Sequence, residues 1–526
     1  MTHEPDDPGS RQAALINALL QPRAYPHPVA SIELVETHIS WVILTGTYAY
    51  KVKKAVRLDF LDFSSLERRQ HFCEEELRLN RRWAPTLYLE VIPVRGTADN
   101  PIIGGDSGSP IEYALKMRQF PQDAQLDEQL HAGLLNEKDM VSLAETIARY
   151  HEQANIIEYA NDRESVGKVR APMMENFSPL RQAIDMDLLS RVQQWTVNSL
   201  RELKPRLIQR RKDGFVRECH GDLHLANLVR LPEGIVAFDC VEFSPELRNI
   251  DVISDVAFLV MDLVAHARQD LAYVLLNRYL ERTGDYSGMD VFNLYFVYHC
   301  MIRAKVAAIR SVERTATENR EEDIEQLKHN LAVAARWIEA APPKLIGMHG
   351  YSASGKTWVS TQLMSALPAI RVRSDIERKR LFALEETARS DSRPGAGIYT
   401  DRASARVYEV LLSITAGLLA AGFNVIIDAS FLRRSDRQAL RSLAETRGFF
   451  FGLVSTAADK ALLVARLGKR RLGGEIVSEA DTSVLDYQYA HADPLDAVER
   501  AHAVFVATDS ATDPEQILKS LRRLDG

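Results

Sequence analysis

Leu345-Ile346-Gly347-Met348-His349-Gly350-Tyr351-Ser352-Ala353-Ser354-Gly355-Lys356-Thr357 is an apolar run that passes into G-x-x-x-x-G-K-T and then into a helical pattern. Glycines at both ends of the loop let successive backbone N–H groups turn inward around phosphates, Lys356 reaches the β and γ positions, and the Thr357 hydroxyl meets magnesium. Gly350, Tyr351, Ser352, Ala353, Ser354, Gly355, Lys356 and Thr357 are therefore the expected nucleotide cradle. Around them, apolar strands at 345–348, 425–427, 450–454 and 503–506 alternate with helical segments, as in a parallel sheet covered on both faces.

Three further features of this half carry chemistry. Phe423-Asn424-Val425-Ile426-Ile427-Asp428 is an apolar strand that ends in a carboxylate, where a magnesium site beside such a loop needs one. Ser374-Asp375-Ile376-Glu377-Arg378 places Asp375 and Arg378 three apart on a helix start, so a base and an acceptor clamp can share a face; a helix-capping Asp is the competing reading. Arg466 and Arg470 lie one turn apart ahead of Gly473-Gly474, a run that resembles the arginine-bearing lid of small P-loop kinases, which implies closure on phosphates, with an exposed basic helix as the alternative. With these motifs, 344 to about 508 resembles the small P-loop kinases, including gluconate kinase, polynucleotide 5′-kinase and the zeta-toxin group. The resemblance does not separate sugar, nucleic-acid and nucleotide-sugar acceptors.

Upstream, a helical pattern over 331–340 meets Ala341-Pro342-Pro343, which stops a helix and extends the chain, so a domain boundary is expected there. The expected division is a tail with a short helix over 1–29, a first domain over 30–340 and the P-loop domain over 341–526. Within the first, 38–54 reads as two β runs around Thr45-Gly46-Thr47, 64–83 as a helix and 112–120 as a strand. Helical patterns then dominate, apart from a β section over 215–239.

That β section opens with His220-Gly221-Asp222-Leu223-His224-Leu225-Ala226-Asn227, continues as a strand over 228–231, turns at Pro232-Glu233-Gly234, and returns over 235–238 to Asp239. Such a hairpin gathers Asp222, Asn227 and Asp239 at one end, a carboxylate for the acceptor hydroxyl and two oxygen ligands for magnesium. The segment resembles the aminoglycoside phosphotransferase and choline kinase group, which implies the protein-kinase fold over most of 30–340, Asp222 as catalytic base, and Asn227 and Asp239 as magnesium ligands. In Tyr48-Ala49-Tyr50-Lys51-Val52-Lys53, alternation puts Ala49 and Lys51 on one face; Lys51 is the expected ATP lysine, with Lys53 on the same face as the alternative. Glu76 follows Phe72 by four, which makes it the expected helix partner of that lysine, with its neighbour Glu75 open as well. The glycine-rich phosphate loop is reduced to Gly46, and Leu115-Lys116-Met117-Arg118-Gln119-Phe120 is the expected adenine-binding connection.

Composition bounds the rest. The 526 residues exceed one core, 46% are hydrophobic and 26% charged, and the net charge of −7 offers no global basic field for nucleic acid or an anionic membrane. Four scattered cysteines and an acidic, polar start point to reduced thiols and a cytoplasmic location. The uncharged run 410–427 approaches membrane-spanning length, but Gly422 and Asn424 divide it into a buried helix and a buried strand. The expected fold is thus an α+β protein-kinase-like (aminoglycoside phosphotransferase) domain followed by an α/β doubly wound P-loop NTPase domain, an order that resembles a bacterial family in which the two are fused. The expected function is a bifunctional ATP-dependent phosphotransferase with ATP and Mg2+ at both sites and hydroxyl-bearing small molecules as acceptors. Nucleic acid stays open as an acceptor for the second domain only. The alternatives are a nucleotide-switched regulator with one silent ATP site, or a toxin-like nucleotide-sugar kinase acting through the second domain.

Overall fold

The structure, a computed structural model, describes residues 8–58, 61–181, 186–313, 317–339, 341–388, 390, 396–472, 480–509 and 513–524. They form two compact units: residues 1–168 with 210–259, and residues 169–209 with 260–526.

The first unit is built on an antiparallel sheet of β1 (Glu33–Glu36), β2 (Ser40–Leu44), β3 (Tyr48–Lys53), β4 (Tyr88–Thr97), β5 (Asn100–Ile103) and β6 (Glu112–Arg118), in the order β1-β2-β3-β6-β4-β5. The turn from β2 to β3 closes because Gly46 takes φ +89°, a left-handed value that costs glycine little, while the Thr45 hydroxyl donates to the Tyr48 carbonyl at 2.8 Å. On one face of β3, Tyr50 and Val52 pack with Leu15, Ile16 and Leu19 of helix Pro8–Leu19. The opposite face carries the lysines toward helix Leu66–Asn80, whose start is capped by Ser65 accepting the Arg68 N–H. β4 and β5 were not evident from sequence: β4 contains Pro93, which has no N–H for a ladder and weakens any strand pattern around it. Farther along, β7 (Leu228–Leu231) and β8 (Gly234–Ala237) pair in the register Leu228↔Ala237 as the expected hairpin.

The second unit contains helices Met186–Glu202, Gln269–Thr283, Met289–Glu313 and Thr317–Ile338, followed by a wholly parallel sheet of β9 (Lys344–His349), β10 (Ala369–Arg373), β11 (Asn424–Asp428), β12 (Phe450–Ala457) and β13 (Ala503–Ala507). Its order, β10-β11-β9-β12-β13, puts the loop-bearing β9 in the centre and β10 at an edge. Ile346, Met348, Val359, Leu363, Ile426 and Val454 fill the core between sheet and helices. The apolar run divides as its glycine implies: helix Asp401–Ala420 ends, Gly422 takes φ +91°, and β11 begins. That helix is long and apolar enough to cross a membrane, yet Val407, Leu411, Leu418 and Leu419 are buried and it packs against β11.

Along the chain the order is therefore that of a protein-kinase-like fold, an antiparallel sheet followed by helices, and then a five-stranded parallel P-loop kinase domain. Compactness groups it differently, since the helices of 260–338 belong with the parallel sheet and Ala341-Pro342-Pro343 lies inside the second unit.

Candidate active sites

In the first unit, Lys51 Nζ lies 2.8 Å from Glu76 Oε1 and 2.5 Å from Asp239 Oδ1. Lys53 Nζ lies 2.7 Å from Glu76 Oε2 and pairs also with Glu242. Both candidate lysines thus use Glu76, but the one that reaches Asp239 is Lys51, while Lys53 is fully enclosed. Glu75 is engaged elsewhere, with Arg78 and Arg248. Burial pushes the Glu76 carboxyl up, but Lys51 and Lys53 outweigh burial and hold it down at about 2. For Lys51 itself, burial works against the charge, and Asp239 and Glu76 more than reverse it.

The catalytic-loop candidates meet as the hairpin implies. Asn227 Nδ2 donates to the Asp222 carbonyl at 2.9 Å and to Asp222 Oδ2 at 3.0 Å, and the Phe238 N–H donates to the Asn227 carbonyl at 3.0 Å, which brings Asp239 alongside. Asp239 itself takes φ +63°, a left-handed conformation that Asp tolerates better than most residues. It is held by its N–H donating to Tyr88 Oη at 3.0 Å, while the Cys240 N–H donates to Asn80 Oδ1 at 2.9 Å. Below the loop, the buried Asp255 carboxylate accepts the His220 and Gly221 N–H groups at 2.7 and 2.9 Å. Gly221 is required there: at φ +85°, a Cβ would lie 2.7 Å from the Leu247 carbonyl oxygen. Gly46 donates its N–H to Gln119 Oε1 at 2.7 Å, which joins the reduced glycine turn to the expected adenine connection.

In the second unit the loop after β9 has the backbone its sequence demands. Gly350 takes φ +140°, where a Cβ would meet the Thr456 carbonyl oxygen at 2.5 Å, and Gly355 takes φ +94° at the start of helix Lys356–Ala366. Lys356 Nζ donates to the Gly350 and Tyr351 carbonyls at 3.0 and 2.8 Å, and Ser354 Oγ lies 2.7 Å from Thr456 Oγ1. A cavity of about 400 Å³ is lined by Lys356, Thr357, Arg373, Asp375, Arg378 and Asp428 among others. Asp428, at the end of β11, is buried, with Arg373 Nε at 3.9 Å and its carbonyl accepting from Ser374 Oγ at 3.2 Å. Arg378 donates from Nη1 to the Ile398 carbonyl at 2.7 Å and lies 4.9 Å above the Tyr399 ring; its buried Nε has no hydrogen-bond partner among the described residues. The hydroxyl of Thr357 and the carboxylate of Asp428 are hard oxygen donors lining the same cavity as Lys356, a set that fits magnesium.

Residues 345–495 match the family described as AAA domain. The uncharacterized protein Rv2004c of Mycobacterium tuberculosis (strain ATCC 25618 / H37Rv) is 30% identical over 429 residues, which cover 80% of this chain and 82% of the relative. The chain belongs to that protein's family. Among solved structures, a sugar kinase from Janibacter sp. HTCC2649 is 20% identical, with a TM-score of 0.27, over 35% of this chain and 95% of its own. A choline/ethanolamine kinase family protein from Mesorhizobium loti is 11% identical, with a TM-score of 0.35, over 62% of this chain and 98% of its own. The P-loop domain implies nucleotide binding.

Two expected lid residues stand differently from the rest. Arg466 does not line the cavity: its Nη1 donates to the Ala353 carbonyl at 3.2 Å and to Thr508 Oγ1 at 3.0 Å. The reason lies in its helix, Lys460–Leu472, whose Leu463 and Leu467 pack on Ala353, so Arg466 is turned onto the loop backbone. The Arg470 side chain and Gly473-Gly474 lie outside the described residues. Sequence reasoning missed Asn80, Tyr88, Glu242 and Asp255. Each acts on a partner far away in the chain, and the signal available was the pairing of Glu242 with Asp239 in one short run.

The two lysines of β3 should part experimentally. Lys51→Met is expected to abolish ATP binding at the first site, read by titration calorimetry, and to lower stability as well, since it too takes a cation from Glu76. Lys53→Met strands Glu76 and Glu242 around one remaining cation and should cost about 3–5 kcal/mol in urea unfolding. Because Glu76 falls from 4.5 to about 2 on folding, its stabilisation is present above pH 4.5 and is lost as pH falls toward 2. With one cation gone, the acid-unfolding midpoint of Lys53→Met should move to higher pH. Gly350→Ala should eliminate nucleotide binding at the second site alone, and parental affinity in that variant would show that the loop tolerates the clash.

Proposed function

We propose that the chain is a two-site ATP-dependent phosphotransferase whose acceptors are hydroxyl-bearing small molecules. The observation that carries this reading is that Asp375 lines one cavity with Lys356 and Thr357, which puts a carboxylate residue in the wall of the space where a phosphoryl group would be held. An ATPase needs only a positioned water there; a kinase needs a group that orients and deprotonates an acceptor hydroxyl. Arg378, buried in the same wall, supports the reading as an acceptor clamp. A space of about 400 Å³ suits a small molecule.

The first site supports the same chemistry by a different route. Asp222 receives the acceptor proton, and Asn227 fixes its carboxylate through the 3.0 Å hydrogen bond. Lys51, drawn between Glu76 and Asp239, is placed to meet ATP phosphates. Asn227 and Asp239 would hold magnesium here, as Thr357 and Asp428 would in the second site; when bound, the ion neutralises charge that builds on the phosphates. The assembled Lys51–Glu76 pair speaks against a silent first site.

Asp375→Asn keeps the side chain's shape and removes its basicity. Acceptor-dependent turnover by the second site should fall by roughly 10²- to 10⁴-fold while ATP affinity persists, measured with labelled ATP against metabolite pools. Intact turnover, or a loss of ATP affinity as severe as that of Lys356→Ala, would remove Asp375 from the role of base. Calorimetry of the full chain should also count two nucleotide sites in the parent and one in Lys356→Ala. Asp222→Ala should silence acceptor phosphorylation by the first site without disturbing the fold, so that near-parental turnover there would remove Asp222 from the mechanism.

A further inference from the structure

The edge strand of the parallel sheet is completed by a helix that precedes the whole P-loop domain. Asn277, buried in helix Gln269–Thr283, donates from Nδ2 to the Ala369 carbonyl at 2.9 Å and accepts the Arg371 N–H on Oδ1 at 2.6 Å. One turn on, the buried Glu281 carboxylate accepts from Arg371 Nη2 at 2.8 Å and Nε at 3.1 Å, and lies 3.6 Å from Arg373 Nη1. Arg371 and Arg373, two apart on β10, project from one face, so a single carboxylate serves both. Arg371 is further tied to Thr361 of the helix after the loop, at 2.6 Å. Arg373 is the informative member, since its guanidinium lines the cavity and stands between two carboxylates, 3.6 Å from Glu281 and 3.9 Å from Asp428. Helix Gln269–Thr283 is held again by Arg380, which donates to the Glu281 carbonyl, and through its own Arg278, 2.9 Å from Glu386.

Asp428 is the buried carboxylate that the second site offers to magnesium. A guanidinium free to close on it would compete with the ion for the same oxygens. Burial alone would drive Glu281 toward its neutral form, but Arg371 and Arg373 hold it ionised, so it is a standing anchor for the guanidinium.

We propose that Glu281 is a positioning residue of the P-loop site: by holding Arg373 it keeps Asp428 available to magnesium, and helix Gln269–Thr283 is thereby a working part of that site. This rests on the reading that Thr357 and Asp428 bind the ion.

The test is calorimetric titration of the full chain with ATP across a series of MgCl2 concentrations, read on the nucleotide site that Lys356→Ala removes. Glu281→Gln preserves shape and an acceptor oxygen for Arg371, but gives up the charge that holds Arg373. The magnesium concentration needed for half-maximal tightening of ATP binding should rise about tenfold, as for coupled neighbours. Adding Arg373→Gln to Glu281→Gln should restore the parental requirement, which a role in packing alone would not. Arg373→Gln by itself should need no more magnesium than the parent. An unchanged requirement in Glu281→Gln, a double variant no better than that single one, or a raised requirement in Arg373→Gln would each overturn the proposal. A parent without any ATP site removed by Lys356→Ala would instead bring down the nucleotide reading of the second site, and this proposal with it.

Discussion

Glu76 lies wholly inside the protein, where an ionised carboxylate costs several kcal/mol unless cations and hydrogen bonds meet it. Two lysines of β3 do so, one on each oxygen, and that requirement organises the first unit. It fixes helix Leu66–Asn80 against the sheet at one rotation, and it delivers Lys51 to Asp239 and Lys53 to Glu242. Those two carboxylates are three residues apart on the segment that leaves the hairpin. A single buried charge therefore sets the distance between sheet, helix and the end of the β7–β8 hairpin, and the left-handed backbone of Asp239 is sustained because three separate elements hold its surroundings.

The second unit answers the same problem with arginine. Arg373 and Arg378 in the cavity wall, and Arg371 two residues before Arg373 on β10, are largely buried, and each is given a fixed acceptor: a carboxylate for Arg371 and Arg373, a carbonyl and an aromatic face for Arg378. The planar guanidinium suits such work, because it can span two acceptors without losing its charge. The lysines that would meet phosphate are Lys51 and Lys356, while Lys53 is enclosed between Glu76 and Glu242.

What could be read from the chain divides along sequence distance. The loop from Gly350 to Thr357 and the hairpin from Asp222 to Asp239 are local, so spacing and backbone demand were enough to place them. Lys51 and Lys53 could not be separated that way, because period-two alternation gives them the same face; what distinguishes them is which carboxylate waits beyond Glu76. Tyr88, Asn80 and Asp255 were hidden for a related reason, since each serves the hairpin or the loop ahead of it from another element of the chain. Arg466 stands apart, since a basic run before two glycines suits a lid, while packing of Leu463 and Leu467 on Ala353 turns that arginine onto the loop. Amphipathic patterns over 260–338 announced helices but carried no information about which sheet they would cover.

Asn277 has a consequence for the protein outside any reaction. A terminal strand in a sheet presents unspent N–H and carbonyl groups to which a strand from another molecule can add, the first step of ordered aggregation. On β10 one amide side chain occupies both a carbonyl and the N–H two residues on, at the spacing that an incoming strand would use. The solubility of the sheet is thus guarded by a residue of a different segment, and the P-loop segment without helix Gln269–Thr283 would expose an adhesive margin along β10.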